Sequence, residues 1–416
     1  MTLPIQPSTP IAQEDSRPAN TDLQTAIPLS KGSTESNVAA HSDAIKGPLT
    51  TQKRTGTGST LEKLNRTRTQ FAAISWDSFV KQNKPPLIQY GKAEKVVRLS
   101  DQEWGIPENW FILGDIHGDF YALSNALKYI TKTCPDFRLI FLGDLIDRGP
   151  HPMECLWLLL AYATRFPERI LWIAGNHDVA VHEKEDGSFW GSVQPSEFLD
   201  HLNAIDSWTP FRREFGREFI ELVKDLPRAV LFPDGLLVTH GGFPLVDLHK
   251  DLQLIQDSAG TTGWLNSPQA LQDFTWTRIT RSPRKIPNRQ STGCSYGFND
   301  FAAFCDVTKD FFPTSRLVTG HDHPAGGIDL HPEWKTHAAL TLKGYGFADD
   351  YERPDAFHSK YQKNLAIARC RRGDIPEPIL IPVEYGDLTD YFENEISGIF
   401  KAKNVEATQP ADPGSA

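Results

Sequence analysis

Residues 110–130 read WFILGDIHGDFYALSNALKYI: an apolar run stops at Gly114-Asp115 and gives way to a stretch whose Tyr121, Leu123, Leu127 and Ile130 fall on one helical face. Four bulky apolar residues in succession, from Trp110 to Leu113, fit a short strand. The arrangement recurs. Arg138–Leu142 (RLIFL) enters GDLIDRGP and then an apolar stretch from Met153 to Ala163, Arg169–Ala174 (RILWIA) enters GNHD, and Arg316–Gly320 (RLVTG) enters HDHP. AVLF and LLVTH flank Asp234-Gly235 as the two arms of a hairpin, and residues 197–226 are helix-rich. Repeated strand, polar loop and helix define an α/β fold, and in such sheets ligands bind beyond the carboxyl ends of the strands. The polar motifs fall at those ends.

Beyond these motifs, the 416 residues are 39% hydrophobic and 23% charged, the profile of a globular protein rather than a fibrous or wholly disordered one. No Phe, Trp or Tyr precedes Phe71, and the early residues are rich in Ser, Thr, Pro and Gln. A segment so poor in core-forming side chains cannot offset the entropy of ordering, so 1–65 reads as a disordered polar segment, 66–400 as the folded domain and 401–416 as a disordered tail. No apolar run approaches the ~20 residues that span a bilayer, and no secretory leader of the usual kind is visible. The formal charge of −10 argues against a nucleic-acid partner. Five cysteines without a CxxC pair argue against a disulfide framework and a thiolate zinc site, which makes a reducing, cytoplasmic setting the expectation.

The residues with chemistry to offer are Asp115 and His117, Asp144, Asn176 with His177 and Asp178, His240, and His321 with His323. All are oxygen or imidazole donors. Such a set suits a pair of borderline divalent ions, Mn, Fe or Zn, better than structural zinc, which favours thiolates, or calcium, which favours oxygen alone. Taken singly, each has an ordinary explanation, since Gly-Asp after a strand is often only a turn and a lone histidine is often a satisfied polar group.

In this order, GDIHG, GDLIDRG, GNHD, HGG and GHDH resemble the signature of the calcineurin-like metallophosphoesterase superfamily, over about residues 109 to 347. Arg148, directly after Asp147, resembles the phosphoprotein phosphatase branch and its bis(nucleosyl)-tetraphosphatase relatives. The resemblance implies a four-layer α/β/β/α sandwich with a dinuclear metal site at one sheet edge. It implies Asp115 and His117 at a first metal, Asp144 bridging both, Asn176, His240 and His321 at a second, and His323 as a further ligand of the first. It further implies His177 as general acid, Asp147 as the carboxylate orienting it, and Arg148 as the group that grips phosphate. The expected enzyme is a phosphomonoester hydrolase resembling bacterial Ser/Thr protein phosphatases, using a two-metal-activated hydroxide for in-line attack on phosphorus. Its expected substrates are phosphorylated proteins or small phosphoesters, with no membrane or nucleic-acid partner. The alternatives are a dinucleoside tetraphosphate hydrolase and a phosphate-binding module without activity.

The chain also departs from the pattern. Asp178 stands where eukaryotic members have Glu, and Trp276-Thr277-Arg278 stands where they have a WSDP-like segment. Thr292 aligns with the family's second phosphate-binding arginine, a role that Arg278, Arg281, Arg284 or Arg289 could take. Trp157, Trp172 and Trp190 read as core residues, Cys294 as an inert thiol, and Gly344–Phe347 as the region of a cleft-covering loop.

Overall fold

In the computed structural model, the strands are short and the apolar alternation within them assigns every layer. The structure describes residues 94–166, 168–204, 209–244, 263–288, 293–334, 337–346 and 364–384, all within one compact unit. The expected disordered ends, 1–65 and 401–416, lie outside the described residues.

Among the described residues, eleven strands form two sheets. They are β1 (Val96–Arg98), β2 (Trp110–Leu113), β3 (Arg138–Phe141), β4 (Ile170–Trp172), β5 (Ala229–Leu231), β6 (Leu236–Thr239), β7 (Arg316–Thr319), β8 (Ile328–Asp329), β9 (Ala338–Leu342), β10 (Asn364–Arg369) and β11 (Glu377–Pro382). One sheet has the order β11-β10-β2-β3-β4 and the other β1-β5-β6-β7-β9-β8. Strands β2, β3 and β4 are parallel and in step, with Leu113 beside Phe141 and Phe141 beside Trp172. Strands β6, β7 and β9 are parallel in the second sheet, and β5 and β6 form the expected antiparallel hairpin.

Because side chains alternate across a strand, each strand feeds two cores. Ile112, Ile140 and Leu171 of the first sheet meet Val230, Leu236, Val238, Val318 and Leu340 of the second in the layer between the sheets. Phe111, Leu113, Leu139, Phe141 and Trp172 point the other way, into a core shared with helices. Those helices are α2 (Phe120–Thr133), α3 (Pro152–Arg165), α5 (Glu197–Ala204) and α6 (Thr209–Asp225), with Val179 of the short α4 (Asn176–Val179) packed against the same core, while the short α1 (Asp101–Trp104) gives Trp104 to the layer between the sheets. On the far side, Ala229, Leu231, Leu237, Leu317 and Ala339 pack on α7 (Pro268–Trp276) and α8 (Phe298–Thr308). The result is the expected four-layer sandwich, stabilised mainly by apolar burial at roughly 1.5–3 kcal/mol for each fully covered large side chain.

Trp157 and Trp172 are core residues, but Trp190 is not. It is 43% exposed on the ribbon formed by Val181–Glu183 and Phe189–Gly191, its ring tilted against that of His182 at 4.7 Å. A two-stranded ribbon has no second layer to cover both faces, which sequence periodicity does not reveal. Among the described residues no helix is long and apolar enough to cross a membrane.

The two sheets meet at one edge. An isolated parallel bridge joins Asp115, just past β2, to Lys343, just past β9. This brings the polar loops that leave both sheets into one cluster.

Candidate metal centre

The cluster is built on strained backbone. His117, Asp144, Asp147, Arg148 and His321 have φ of 47, 51, 67, 63 and 60°, the left-handed region that side chains other than glycine's avoid at a cost of about 1–2 kcal/mol each. Surrounding bonds hold the strain in place. The backbone N–H of His117 donates to the Asp144 carbonyl at 2.8 Å, that of Arg148 to Glu197 Oε2 at 2.6 Å, and that of His321 to Asp115 Oδ2 at 3.0 Å. Asp178 accepts from the backbone N–H groups of Asp144, Leu145 and Gly175 at 2.9, 3.1 and 2.9 Å, fastening the second motif to the third. The residue that distinguishes GNHD from GNHE is thus a loop clamp.

All ten candidate site residues come together. Asp115, His117 and His323 form one group of donor atoms that a single ion could share, and Asp144, His240 and His321 form another. A third combination, His117, Asp144 and His177, overlaps both. Asp144 Oδ2 lies 3.5 Å from His117 Nε2 and 3.4 Å from His240 Nε2, a position between the two groups. His323 Nε2 is 3.4 Å from Asp115 Oδ2, and Asn176 Oδ1 is 3.0 Å from His240 Nε2.

Tautomers follow from the carbonyls nearby, which can only accept. His117 Nδ1 donates to the Ile146 carbonyl at 3.0 Å and His240 Nδ1 to the Leu142 carbonyl at 2.9 Å. Each ring therefore turns Nε2 into the cluster, oriented by a bond on its far side as metal-binding histidines are.

The electrostatics ask for a cation. Burial pushes the Asp115 carboxyl up to about 7. Burial also disfavours charge on His240, yet the carboxylates of Asp144 and Asp115 outweigh it and push the imidazole up to about 9. Burial, reinforced by Arg148 at His117 and by Arg278 at His321, holds those imidazoles well below their usual range, in the neutral form that ligates. His117 Nε2, Asp144 Oδ2 and His321 Nε2 are buried and make no hydrogen bond. Orphaning one such atom costs roughly 1–3 kcal/mol. Three pointing into one thiolate-free cluster fit borderline divalent ions that would satisfy them.

Beside this cluster sits a second constellation. His177 Nδ1 donates to Asp147 Oδ2 at 2.8 Å, and Asp147 Oδ1 accepts from Ser196 Oγ at 2.6 Å and from the Phe198 N–H at 3.2 Å. Arg148 reaches His323 with Nη1 at 2.9 Å and lies 3.4 Å from His177 Nε2 with Nη2. Ser196, Glu197 and Phe198 escape sequence reading because they stand about fifty residues from their partners and belong to no motif. Tyr345 is fully buried and packs its ring 5.3 Å from His117 and 5.5 Å from His323. Within the expected cleft-covering stretch, it underlies the histidines; Phe347 lies outside the described residues.

A family model for calcineurin-like phosphoesterases matches residues 111–325, more than half of the chain. The chain belongs to the calcineurin-like phosphoesterase family. Within it, the chain resembles the Ser/Thr phosphatase branch. It is 25% identical over 289 residues to serine/threonine-protein phosphatase 5 of Solanum lycopersicum, covering 68% of this chain and 47% of that one. It is 28% identical over 211 residues to a catalytic subunit of protein phosphatase 2A from Dictyostelium discoideum, covering 50% and 58%. The chain thus spans about half the length of the curated relatives it matches. A protein serine/threonine phosphatase structure from Saccharomyces cerevisiae has a TM-score of 0.53 at 18% identity, covering 77% of this chain and 91% of that one, a likeness of fold.

The arginines of the calcineurin-like domain's 278–289 stretch separate. Arg278 donates to the His321 carbonyl and to Asp322 at 2.9 and 2.8 Å, Arg281 pairs with Asp329 at 3.0 Å, and Arg284 is exposed. Arg289 and Thr292 lie outside the described residues.

Proposed function

We propose that this phosphoesterase hydrolyses phosphomonoesters, foremost on phosphorylated protein side chains, with two divalent ions drawn from Mn, Fe and Zn. Asp115, His117 and His323 would hold one ion, Asn176, His240 and His321 the other, and Asp144 both. When bound, such ions supply Lewis acidity and hydroxide at neutral pH for in-line attack on phosphorus. The observation that carries this reading is the convergence of three orphaned buried atoms, on His117, Asp144 and His321.

The remaining roles belong to side chains that need no ion. Arg148 offers the phosphoryl oxygens a planar guanidinium able to make two parallel bonds as charge builds on them. His177, whose Nδ1 is engaged by Asp147, presents Nε2 as the atom that hands a proton to the departing alkoxide. Asp147 fixes the orientation of that imidazole, and Ser196 and the Phe198 N–H keep Asp147 in place. The expected affinity to bacterial enzymes of this kind rests on the sequence alone. A reducing, cytoplasmic setting fits the five free thiols.

The test is hydrolysis by metal-stripped protein after addition of Mn, Fe, Zn or Mg, with p-nitrophenyl phosphate, a phosphopeptide and diadenosine tetraphosphate side by side. Metal-restored turnover of the first two supports the proposal. Turnover confined to the dinucleotide refutes the substrate class, and binding of two ions with no turnover of anything refutes the enzyme.

A further inference from the structure

The turn at Gly320–His323 carries an unusual burden. Two imidazoles, two residues apart, belong to different donor groups: His321 to that of Asp144 and His240, His323 to that of Asp115 and His117. The turn achieves this with a left-handed His321, φ 60°, and a tight bond from the Asp322 N–H to the Gly320 carbonyl at 2.6 Å. Its inner side is held by Asp115, which accepts the His321 N–H, and by the His240 carbonyl, which accepts the Gly320 N–H at 2.9 Å.

Its outer side is held by a residue outside the five ordered motifs. Arg278 Nη1 donates to the His321 carbonyl at 2.9 Å and to Asp322 Oδ1 at 2.8 Å. The other carboxylate oxygen of Asp322 accepts the Ile279 N–H at 3.4 Å. The side chains of Arg278 and Asp322 are 27% and 28% exposed, so the pair is largely shielded from water. Arg278 stands where eukaryotic members have a WSDP-like segment, and in this chain that position supplies the clamp.

We infer that Arg278 is a positioning residue: through Asp322 and the His321 carbonyl it fixes the turn from outside and so sets one ligand of each ion. The inference rests on the two-ion reading above. Outer partners of metal ligands are worth roughly 10- to 100-fold in affinity because they hold the ligand in its productive orientation.

Charge alone predicts the opposite. Arg278 is a cation beside residues that would hold two dications, so removing it would tighten metal binding through weaker repulsion, whereas losing the clamp would loosen it. Arg278→Met therefore reads the sign of the dominant effect. Arg278→Met combined with Asp322→Asn removes one positive and one negative charge together and isolates the geometry.

The experiment is titration of the metal-stripped full chain with Mn(II) by calorimetry and with Co(II) by its visible absorption, for wild type, both of those variants, Arg278→Lys and Arg281→Met. The clamp predicts about 10- to 100-fold weaker uptake in the double variant, weaker uptake in Arg278→Met, and a smaller loss in Arg278→Lys, which keeps one donor. Arg281→Met, whose side chain is 70% exposed and bonds Asp329 instead, should match wild type. Tighter binding by Arg278→Met, or wild-type affinity in the double variant, overturns the inference while leaving the two-ion reading intact. Failure of wild type to take up two ions overturns that reading, and this inference with it. Should circular dichroism show the double variant unfolded, Arg278→Lys decides: unchanged affinity for both ions overturns the clamp.

Discussion

The loops beyond the sheet ends and the three-stranded ribbon that borders them, Arg278–Ile279, Ile286–Pro287 and Cys294–Tyr296, are both rich in charge yet held in opposite ways. In the loops, Asp115, His117, Asp144, His240 and His321 are buried, five of the predicted site residues have left-handed backbone, and carboxylates accept backbone N–H groups across motifs. In the ribbon, Arg281 and Arg284 are exposed, and Arg281 pairs with Asp329 where water competes. Burial converts a charge into a geometric constraint, because a buried carboxylate must be satisfied by specific donors. Exposure leaves a charge free to be satisfied by water, so it fixes little backbone. Arg278 is the point of contact between the two regimes.

A methyl group tests that contrast most severely. Gly143, at φ 92° in the second motif, has no room for one: a Cβ would stand 2.2 Å from the Gly175 backbone nitrogen. Gly373, at φ 79° in a surface turn, has nothing within 4 Å of that position. Gly143→Ala should cost about 4 kcal/mol or more, and Gly373→Ala only the left-handed penalty of about 1–2 kcal/mol. Similar shifts in urea midpoints would erase the distinction.

Within the loops, Asp144→Asn should reduce turnover roughly 10³-fold or more and abolish pairwise metal uptake in the same protein, since one carboxylate faces both donor groups. Elemental analysis of the purified variant reads the second effect directly. Retained activity would remove the two-ion reading.

Arg148→Met is expected to keep both ions and lose about 10²- to 10³-fold in kcat/KM. Loss of metal would instead make Arg148 a prop for His323, against which its Nη1 rests.

His177→Asn should slow an alkyl phosphate about 10²-fold and p-nitrophenyl phosphate far less, because the aryl leaving group needs little protonation. Equal losses would deprive His177 of its acid role.

The smallest effect concerns the thiols. Burial pushes Cys305 up to about 12 and raises Cys155 and Cys370 as well, so raising the pH from 7 to 9 leaves them protonated and slow to alkylate. Half-buried Cys294, in the ribbon, should label first in the native protein. Mass spectrometry of partly alkylated protein checks the order, and early labelling of Cys305 would mean that its core opens more readily than its packing implies.

The layers and the donor set are written in the order of residues. Apolar runs ending in Gly-Asp or Gly-Asn declare strands that deliver polar groups at their ends, and five ordered motifs are too specific to arise from turns alone. That order cannot rank Arg278 against Arg281 or Arg284, because all sit in one basic stretch and partners 43 and 44 residues away, the His321 carbonyl and Asp322, distinguish the first. Nor can it find Ser196 behind Asp147, or see in Asp178 more than a departure from the pattern. Trp190 reads as core and is exposed, because hydropathy reports a preference for burial while the number of layers available is a property of the fold. Motifs are local, so their chemistry is legible in one dimension. The residues that orient them act through hydrogen bonds between distant segments, and only the packing of two sheets brings those segments within about 3 Å, the range over which such bonds exist.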